Sequence, residues 1–233
     1  HEFSKCKYGY QLLVLPETIG STIYLTANDD RIDSYLGAVF IEMAGIRSPL
    51  NFSHTRRGDT YLDRVLSEVV IQRRPGSTEW PFGTPWGNDE RQFDSPGVGI
   101  PSASLGRHPF HHYHTSGDNL DQTDESCLNE MVDVILDVVR IFESDFIPEP
   151  LHRLPVHLTR YDLYADSIND KAGFDLNTAI IDRLWSDKSV FDISMELGVP
   201  YDHVLEYVGR MADYGLIERR PLAPNYFRRS ETS

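Results

Sequence analysis

The densest group of reactive side chains lies between Arg107 and Asp121, where His108, His111, His112 and His114 fall within seven positions. Histidine titrates near neutral pH and is the commonest metal ligand in proteins, so this density marks a candidate site for metal binding or proton transfer. Small residues and carboxylates follow at once. A group of surface histidines is the alternative interpretation, so the cluster needs partners from elsewhere in the chain.

Carboxylates at the ends of predicted strands are the natural partners. Glu17 follows a β-rich run over residues 8–15, Glu42 ends an apolar run over residues 36–43, and His114 follows a third run. Sheets in α/β proteins present ligands from the loops at the carboxyl ends of their strands. We therefore expect these three side chains to converge, although nearly a hundred residues separate the first from the last.

Hydrophobic periodicity supplies the elements that would position these residues. Gly20–Asn28 predicts a helix with Ser21 as its cap, and Asp59–Arg73 predicts an amphipathic helix behind the capping residues Asp59 and Thr60. Residues 75–104 are rich in Gly, Pro and Trp, which predicts a long functional loop that leads into a strand at Gly99–Leu105. Thr123–Phe146 predicts the longest helix.

A proline-rich stretch divides the chain. Three prolines in residues 147–155 break any helix. We therefore predict a first domain over residues 1–147, a linker over 148–160 and a small second domain over 161–233. The second domain should contain three helices and a short β segment, as in a winged helix-turn-helix; these are Phe174–Trp185, Val190–Leu197, Tyr201–Tyr214 and Gly215–Phe227.

Composition narrows the class of protein. The 233 residues are 40% hydrophobic, which is enough for an ordinary buried core. No run approaches the roughly 18 to 20 apolar residues that span a bilayer, so we expect a cytosolic protein without membrane contact. Cys6 and Cys127 lack metal-binding spacing and fit reduced thiols. The net charge of -14 makes nucleic acid an unlikely partner, because it repels phosphate.

Four segments resemble, in order, the motifs of the zinc-dependent aminopeptidase superfamily, which includes bacterial leucine-preferring aminopeptidases and glutaminyl cyclases. They are PETIGS (16–21), VFIEMAG (39–45), GNDERQFDSPGVGIP (87–101) and YHTSGDNLD (113–121). A closer resemblance is to an aminopeptidase-like branch that carries a C-terminal winged helix and is often associated with bacterial polysaccharide biosynthesis. The resemblance implies a three-layer α/β sandwich with a mixed sheet, whose N-terminal part is expected to be incomplete here.

The resemblance also implies roles for individual residues. His114 takes the place of the last zinc ligand, and Glu42 falls where the superfamily has a ligand Asp. Glu17 falls where the superfamily has two adjacent glutamates, one the general base and the other a metal ligand. Here the pair is reduced to Pro16-Glu17, so Glu17 could hold either role but not both; we favour the base.

Five further residues would contact substrate or support the ligands: Asp89, Glu90, Arg91, Tyr113 and Asp118. Other interpretations are open for several of these positions. Glu17 could be a carboxylate that favours a helix start, and Glu42 a solvated residue at a strand end. The residues from Asp89 to Arg91 could form a mutually paired loop. His108, His111 and His112 match no ligand position and are expected to form the wall of the cleft.

These inferences predict a metal-dependent hydrolase of aminopeptidase type with one or two zinc ions, or another divalent metal, acting on a peptide or a small amide substrate. Zinc would activate water, and Glu17 would accept its proton. The superfamily's first zinc His and its bridging Asp precede the equivalent of residue 8, so either they lie upstream of His1 or a two-zinc site is incomplete. The alternative is a catalytically silent binding scaffold, and a DNA-binding regulator ranks third. The second domain would serve a protein partner or homo-oligomer.

Overall fold

The computed structural model describes residues 6–228. Contacts divide the chain into two compact units. The first contains the chain up to Glu143 together with the stretch that begins at Ala223, and the second contains Ser144–Leu222. The candidate site residues predicted from the sequence all fall in the first unit.

The first unit is built on a four-stranded mixed sheet. Its strands are β1 (Ala38–Ile41), β2 (Leu50–Ser53), β3 (Thr78–Trp80) and β4 (Ser102–Arg107), in the order β1-β4-β2-β3. β1 is parallel to β4 and β2 is parallel to β3, whereas β2 and β4 are antiparallel. The predicted α/β fold with a mixed sheet is confirmed. The three-layer arrangement stays a prediction.

Four helices accompany this sheet: α1 (Ile19–Ala27), α2 (Tyr61–Leu66), α3 (Glu90–Phe93) and α4 (Glu125–Ser144). Thr60 caps α2: its side chain and that of Asp63 accept each other's backbone N–H groups. The helix continues as a π-helical turn over Ser67–Gln72. α4 buries a stripe at helical spacing, namely Met131, Val134, Val138 and Ile141. Across residues 6–228 no helix combines the length and the apolar character that crossing a membrane requires.

A small apolar cluster holds α1 against the loop that contains α3. Leu25, Phe93 and Ile100 are buried together, and Leu13 and Tyr24 pack against them. Burial of a side chain of this size stabilises a fold by about 1.5–3 kcal/mol. The cluster therefore packs the second half of α1 against Phe93, next to the loop of the candidate site.

The predicted strand over Tyr8–Leu15 is wrong. The chain is irregular there, and Leu12 and Val14 are 87% and 88% exposed. A β-forming sequence becomes a strand only where a neighbouring strand pairs with its backbone, and β1 pairs with β4 instead. Glu143 holds the start of this segment by accepting the backbone N–H of Tyr8 at 3.1 Å.

The predicted cap of the first helix is also wrong. α1 begins at Ile19, so Ser21 lies within the helix rather than before it. The Ser21 hydroxyl donates to a carboxylate of a distant loop, which is a better acceptor for it than the helix backbone.

The second unit contains α5 (Lys171–Arg183), α6 (Val190–Leu197) and α7 (Tyr201–Asp213), close to the predicted helices. Gly198 ends α6 with a φ of 64°, the left-handed conformation that favours glycine. Two short antiparallel strands complete the unit, β5 (Ile147–Pro150) and β6 (Ile217–Arg220).

The β structure of this unit differs from the prediction in two places. Residues 148–150, predicted as linker, belong to β5, because their extended proline-rich backbone pairs at a sheet edge where missing N–H groups are tolerated. The predicted β segment to Phe227 ends at Arg220, and Pro224–Arg228 forms a short helix, α8, in the first unit. β6 thus pairs with a strand that precedes the helices and not with a following strand, so the winged helix-turn-helix stays a prediction.

Aromatic packing holds α8 in the first unit. The Phe227 ring is buried, and its centroid lies 5.4 Å from that of Tyr61, 5.5 Å from that of Phe142 and 5.6 Å from that of Tyr8. Aromatic pairs at these distances add to the free energy gained by burial alone.

Candidate functional site

Glu42 lies directly after β1, and its backbone N–H donates to the Leu105 carbonyl at 3.1 Å. β4 makes room for it with a glycine. A Cβ at Gly106 would lie 2.9 Å from the Glu42 carbonyl oxygen and 3.1 Å from the Trp86 ring, closer than side chains tolerate. Gly106 therefore permits the Glu42 backbone and the Trp86 ring to approach β4 closely.

The Glu42 carboxyl is electrostatically unusual. Its Oε1 atom is buried and has no hydrogen-bond partner in the part of the chain that the structure describes. Burial, with the negative charges of Glu90 and Glu17, raises the pKa of Glu42 to about 7 against the lowering effect of a hydrogen bond from Asn88. The structure thus brings Glu42, Glu90 and Glu17 close enough to repel one another.

Glu17 opens a strained turn. Thr18 has φ 61° and ψ -57°, and the Ile19 N–H donates to the Glu17 carbonyl at 2.6 Å, which is the geometry of a classic γ-turn. A β-branched residue at positive φ persists only where its surroundings hold it. The turn carries the exposed Glu17 side chain to the start of α1.

Asp89 is the group that holds this turn. Its carboxylate is buried and accepts the Thr18 N–H and the Ser21 hydroxyl, each at 2.7 Å. A buried carboxylate with two such donors contributes more than an ordinary hydrogen bond. Asp89 therefore ties the Glu17 turn to the loop that carries Glu90.

Glu90 and Arg91 partly form the paired loop that was one interpretation of this segment. The buried Glu90 carboxylate accepts the Asn88 N–H at 3.0 and 2.9 Å, and Arg91 Nε lies 3.9 Å from it. Arg91 also donates to the Gly83 carbonyl at 3.0 Å. These contacts fix the loop around Glu90 and leave the Arg91 side chain half exposed.

The His114 segment lies in an exposed loop. His114 has φ 57°, and its ring stacks on that of Tyr113 with centroids 3.9 Å apart. The Asp118 N–H donates to the Thr115 carbonyl at 3.1 Å and closes a turn. Among the described residues no contact joins His114, Tyr113 or Asp118 to the three glutamates, so the expected convergence is present for Glu17 and Glu42 alone.

Comparison with known proteins gives the family. A sequence profile described as a domain of unknown function, DUF4910, matches residues 1–145, which is more than half of the chain. The chain belongs to the DUF4910 family. The match covers all the candidate site residues.

Two relatives of this DUF4910 chain come from Clostridium acetobutylicum. One is described as a "putative polysaccharide biosynthesis protein with aminopeptidase-like domain"; it is 37% identical over 147 residues, which cover 60% of this chain and 33% of that protein. The other is the crystal structure of a "putative peptidase", with a TM-score of 0.79 and 26% identity, covering 92% of this chain and 49% of that one. The chain thus spans a third to a half of these relatives, and its predicted relationship to aminopeptidase-like proteins is confirmed.

The DUF4910 site fits a bound cation only in part. The unpartnered Glu42 oxygen and the crowding of three carboxyl groups favour a positive charge between them. Zinc also needs further ligands, of which His114 is the predicted one. Over residues 6–228, however, no three His, Cys, Asp or Glu side chains are grouped so that they could hold a metal. The described residues therefore do not assemble the predicted zinc ligand set.

Two site residues of this DUF4910 chain were not predicted from its sequence. The Asn88 side chain donates to Glu42, and its backbone N–H donates to the Glu90 carboxylate. The Trp86 ring lies beside Gly106, close to the Glu42 backbone. Asn88 precedes Asp89 within the third motif, and that adjacency was a usable signal. Trp86 gave no local signal, because its role depends on a glycine twenty residues away.

Proposed function

We propose that this chain carries part of the active site of a peptidase-like hydrolase that cleaves a peptide or small amide substrate. The observation that carries the proposal is the half-buried Glu42 carboxyl, whose Oε1 atom is buried without a hydrogen-bond partner among the described residues and whose pKa is raised to about 7 beside Glu17 and Glu90. Strongly perturbed carboxyl groups concentrate at functional sites. The aminopeptidase-like relatives support the same class of reaction.

The three carboxyl groups Glu42, Glu17 and Asp89 have different roles in this proposal. A carboxyl group with a pKa near 7 can accept or release a proton at neutral pH, which suits Glu42 to proton transfer or to pairing with a cationic group. Glu17, exposed on its strained turn, is the general base that removes a proton from the attacking water. Asp89 is a positioning residue, since it acts on Glu17 through Thr18 and Ser21.

Zinc is a separate part of the proposal. Glu42 and His114 are its proposed ligands, and the support in this structure is the unpartnered Glu42 oxygen. A zinc ion, when bound, would lower the pKa of its water to about 7. Metal analysis of the purified chain after exposure to Zn²⁺ tests this part. We expect retained zinc that Glu42→Ala and His114→Ala each reduce, and retention unaffected by both variants would contradict the ligand assignment.

A substrate panel tests the hydrolase. It should contain aminoacyl and peptide substrates and amide-bearing amino sugars, because the curated relative is described as a polysaccharide biosynthesis protein. We expect turnover that Glu17→Gln and Glu42→Gln each lower at least a hundredfold. Glu206→Gln, at an exposed position of the second unit, is the matched control. Turnover equal in all four proteins would refute the roles of Glu17 and Glu42.

The second candidate is a catalytically silent scaffold that binds a peptide or sugar in the same place. The exposed His114, which contacts none of the three glutamates among the described residues, favours it. This scaffold predicts saturable binding of a panel compound with no product after long incubation. Product formation abolished by Glu17→Gln is incompatible with it.

We propose a protein-interaction role for the second unit, with a protein partner or a second copy of the chain. Nine acidic and five basic residues between Phe174 and Arg220 give this stretch a net charge of -4, which opposes phosphate contacts. Light scattering of the full chain at several concentrations tests the second copy. A mass that stays at one chain throughout would exclude self-association.

A further inference from the structure

A second place in the first unit combines a cavity with charged side chains. The cavity is a pocket largely open to solvent, with a volume of about 500 Å³, and it lies beside β3 and the end of β2. It falls within the roughly 300–1,000 Å³ of small-molecule sites. β4 and β2 separate β3 from β1 in the sheet, three strand spacings of about 4.8 Å each, so the cavity is distinct from the place where Glu42 follows β1.

Arg56 supplies one wall of the cavity with a positive charge, and two contacts hold its guanidinium in one orientation. Its Nε donates to the Asp94 carbonyl at 2.5 Å, and its guanidinium carbon lies 4.5 Å from the centroid of the Phe82 ring. Its two terminal nitrogens donate no hydrogen bond within residues 6–228, although its charge also interacts with the Asp94 carboxylate. An arginine held in this way presents paired N–H groups that match the two oxygens of a carboxylate.

Glu79 supplies a negatively charged wall, positioned by a histidine. His54 Nε2 lies 3.4 Å from Glu79 Oε2, and His54 Nδ1 lies 3.1 Å from the carboxylate of Asp63, which is 1% exposed. The hydrogen bond to Asp63 is the main cause that raises the pKa of His54, so the imidazole holds its proton more tightly than a free histidine does. The Ser67 hydroxyl also donates to Glu79 Oε2 at 3.3 Å, whereas Glu79 Oε1 accepts no hydrogen bond among the described residues and can accept one from a ligand.

We propose that this cavity binds a small zwitterion, a free α-amino acid, with its carboxylate on Arg56, its ammonium on Glu79 and its side chain against Trp80 and Phe82. Arg56 can donate to a carboxylate and Glu79 Oε1 can accept from an ammonium, so a zwitterion uses both walls, whereas a ligand with a single charge uses one. The aromatic lining supplies apolar area for the side chain. The proposal does not rest on hydrolysis, because it concerns binding in a different place.

Calorimetric titration of the full 233-residue chain with three probes tests the proposal. L-leucine carries both charges, 4-methylpentanoate has the same skeleton without the ammonium, and L-leucinamide lacks the carboxylate. We expect L-leucine to bind at least tenfold more tightly than either analogue. Equal binding of all three probes, or no saturable binding of L-leucine, would overturn the proposal.

Variants place the ligand in the cavity. Arg56→Met and Glu79→Gln should each weaken L-leucine binding at least tenfold, and Arg31→Met, at an exposed arginine of the same unit, should leave it unchanged. Circular dichroism checks that each variant is folded. Since Glu79 is nearly half exposed, Glu79→Gln keeps the test decisive if Arg56→Met does not fold. Leucine binding that survives both changes would place the ligand elsewhere and refute the proposal.

Discussion

Glu42 makes the stability of the first unit depend on pH. Its folded pKa of about 7 lies above the ordinary glutamate value of 4.5, because burial and neighbouring negative charge disfavour the ionised form. The folded state therefore holds this proton more tightly than the unfolded state. It follows that the contribution of Glu42 to stability is fully present below about pH 4.5 and is lost as the pH rises to about 7.

Glu42→Gln should remove this dependence. At pH 8 the variant should be more stable than the wild type by on the order of 1 kcal/mol, a figure that allows for the partial exposure of the carboxyl, and at pH 4.5 the two should be equally stable. Urea unfolding at both pH values measures the difference. Glu206→Gln controls for the loss of one charge, and an identical pH dependence in wild type and Glu42→Gln would contradict the assignment.

The turn at Thr18 stores strain that glycine should relieve. Thr18→Gly should stabilise the fold by about 1 kcal/mol, because a β-branched residue at φ 61° costs about 1–3 kcal/mol and glycine adds some chain entropy on unfolding. Thr22→Gly, one turn later inside α1, should destabilise by about 1 kcal/mol. Thermal unfolding of the two variants compares them, and destabilisation by both would show that Thr18 is not strained.

At the scale of elements, local pattern predicted helices well and strands poorly. The apolar stripe of α4 and the glycine that ends α6 are local signals, and both elements were predicted within about two residues of their observed ends. β2 was missed because Asn51 and Ser53 interrupt its apolar residues, yet all four positions are buried between β4 and β3. The run at residues 8–15 failed for the opposite reason, since it has the composition of a strand without a strand beside it.

The candidate site shows the same limit. The proximity of Glu17 and Glu42 was predicted, but the strand expected before Glu17 is absent, and the Asp89 carboxylate holds the Glu17 turn in its place. The exposure of His114 could not be predicted, because it depends on the turns that the surrounding loop forms, such as the one that the Asp118 N–H closes on the Thr115 carbonyl. Asp89 was expected near the site, but its hold on the Thr18 turn required the packing of α1 against Phe93.

Ion pairing in the second unit predicts that it does not bind DNA. All five basic residues between Phe174 and Arg220 lie within 4 Å of an acidic partner, namely Arg183, Lys188, Arg210, Arg219 and Arg220. Fluorescence anisotropy with random duplex DNA at low salt should show no binding by the full chain. The double variant Asp187→Lys with Asp213→Lys, which takes one acidic partner from each of Arg220 and Arg219 and reverses two charges, should begin to bind. Salt-dependent binding by the wild type would refute the prediction.

At the scale of the whole molecule, the first unit depends on residues from both ends of the described chain. Phe227, near the end of the described chain, packs against Tyr8, near its start, and also against Tyr61. Phe227→Ala should cost about 3–5 kcal/mol, because it empties a fully buried position. Urea unfolding followed by tryptophan fluorescence measures the cost. Leu120→Ala, at a side chain that is 87% exposed, should change stability by less than about 0.5 kcal/mol. A similarly small effect of Phe227→Ala would show that α8 contributes little.

The second unit is an insertion into the sequence of the first, and its first and last strands, β5 and β6, pair with each other. Ile147 lies opposite Arg220 in the ladder, so the chain enters and leaves the unit through adjacent positions, about 5 Å apart between Cα atoms. An insertion of this kind can be exchanged or removed, because the distance between the two chain ends that the first unit must join stays the same. A shortened chain in which a two-residue turn joins Pro150 to Ile217 would bridge that gap as an ordinary hairpin, and it would leave α4 and α8 their own sequences and spacing.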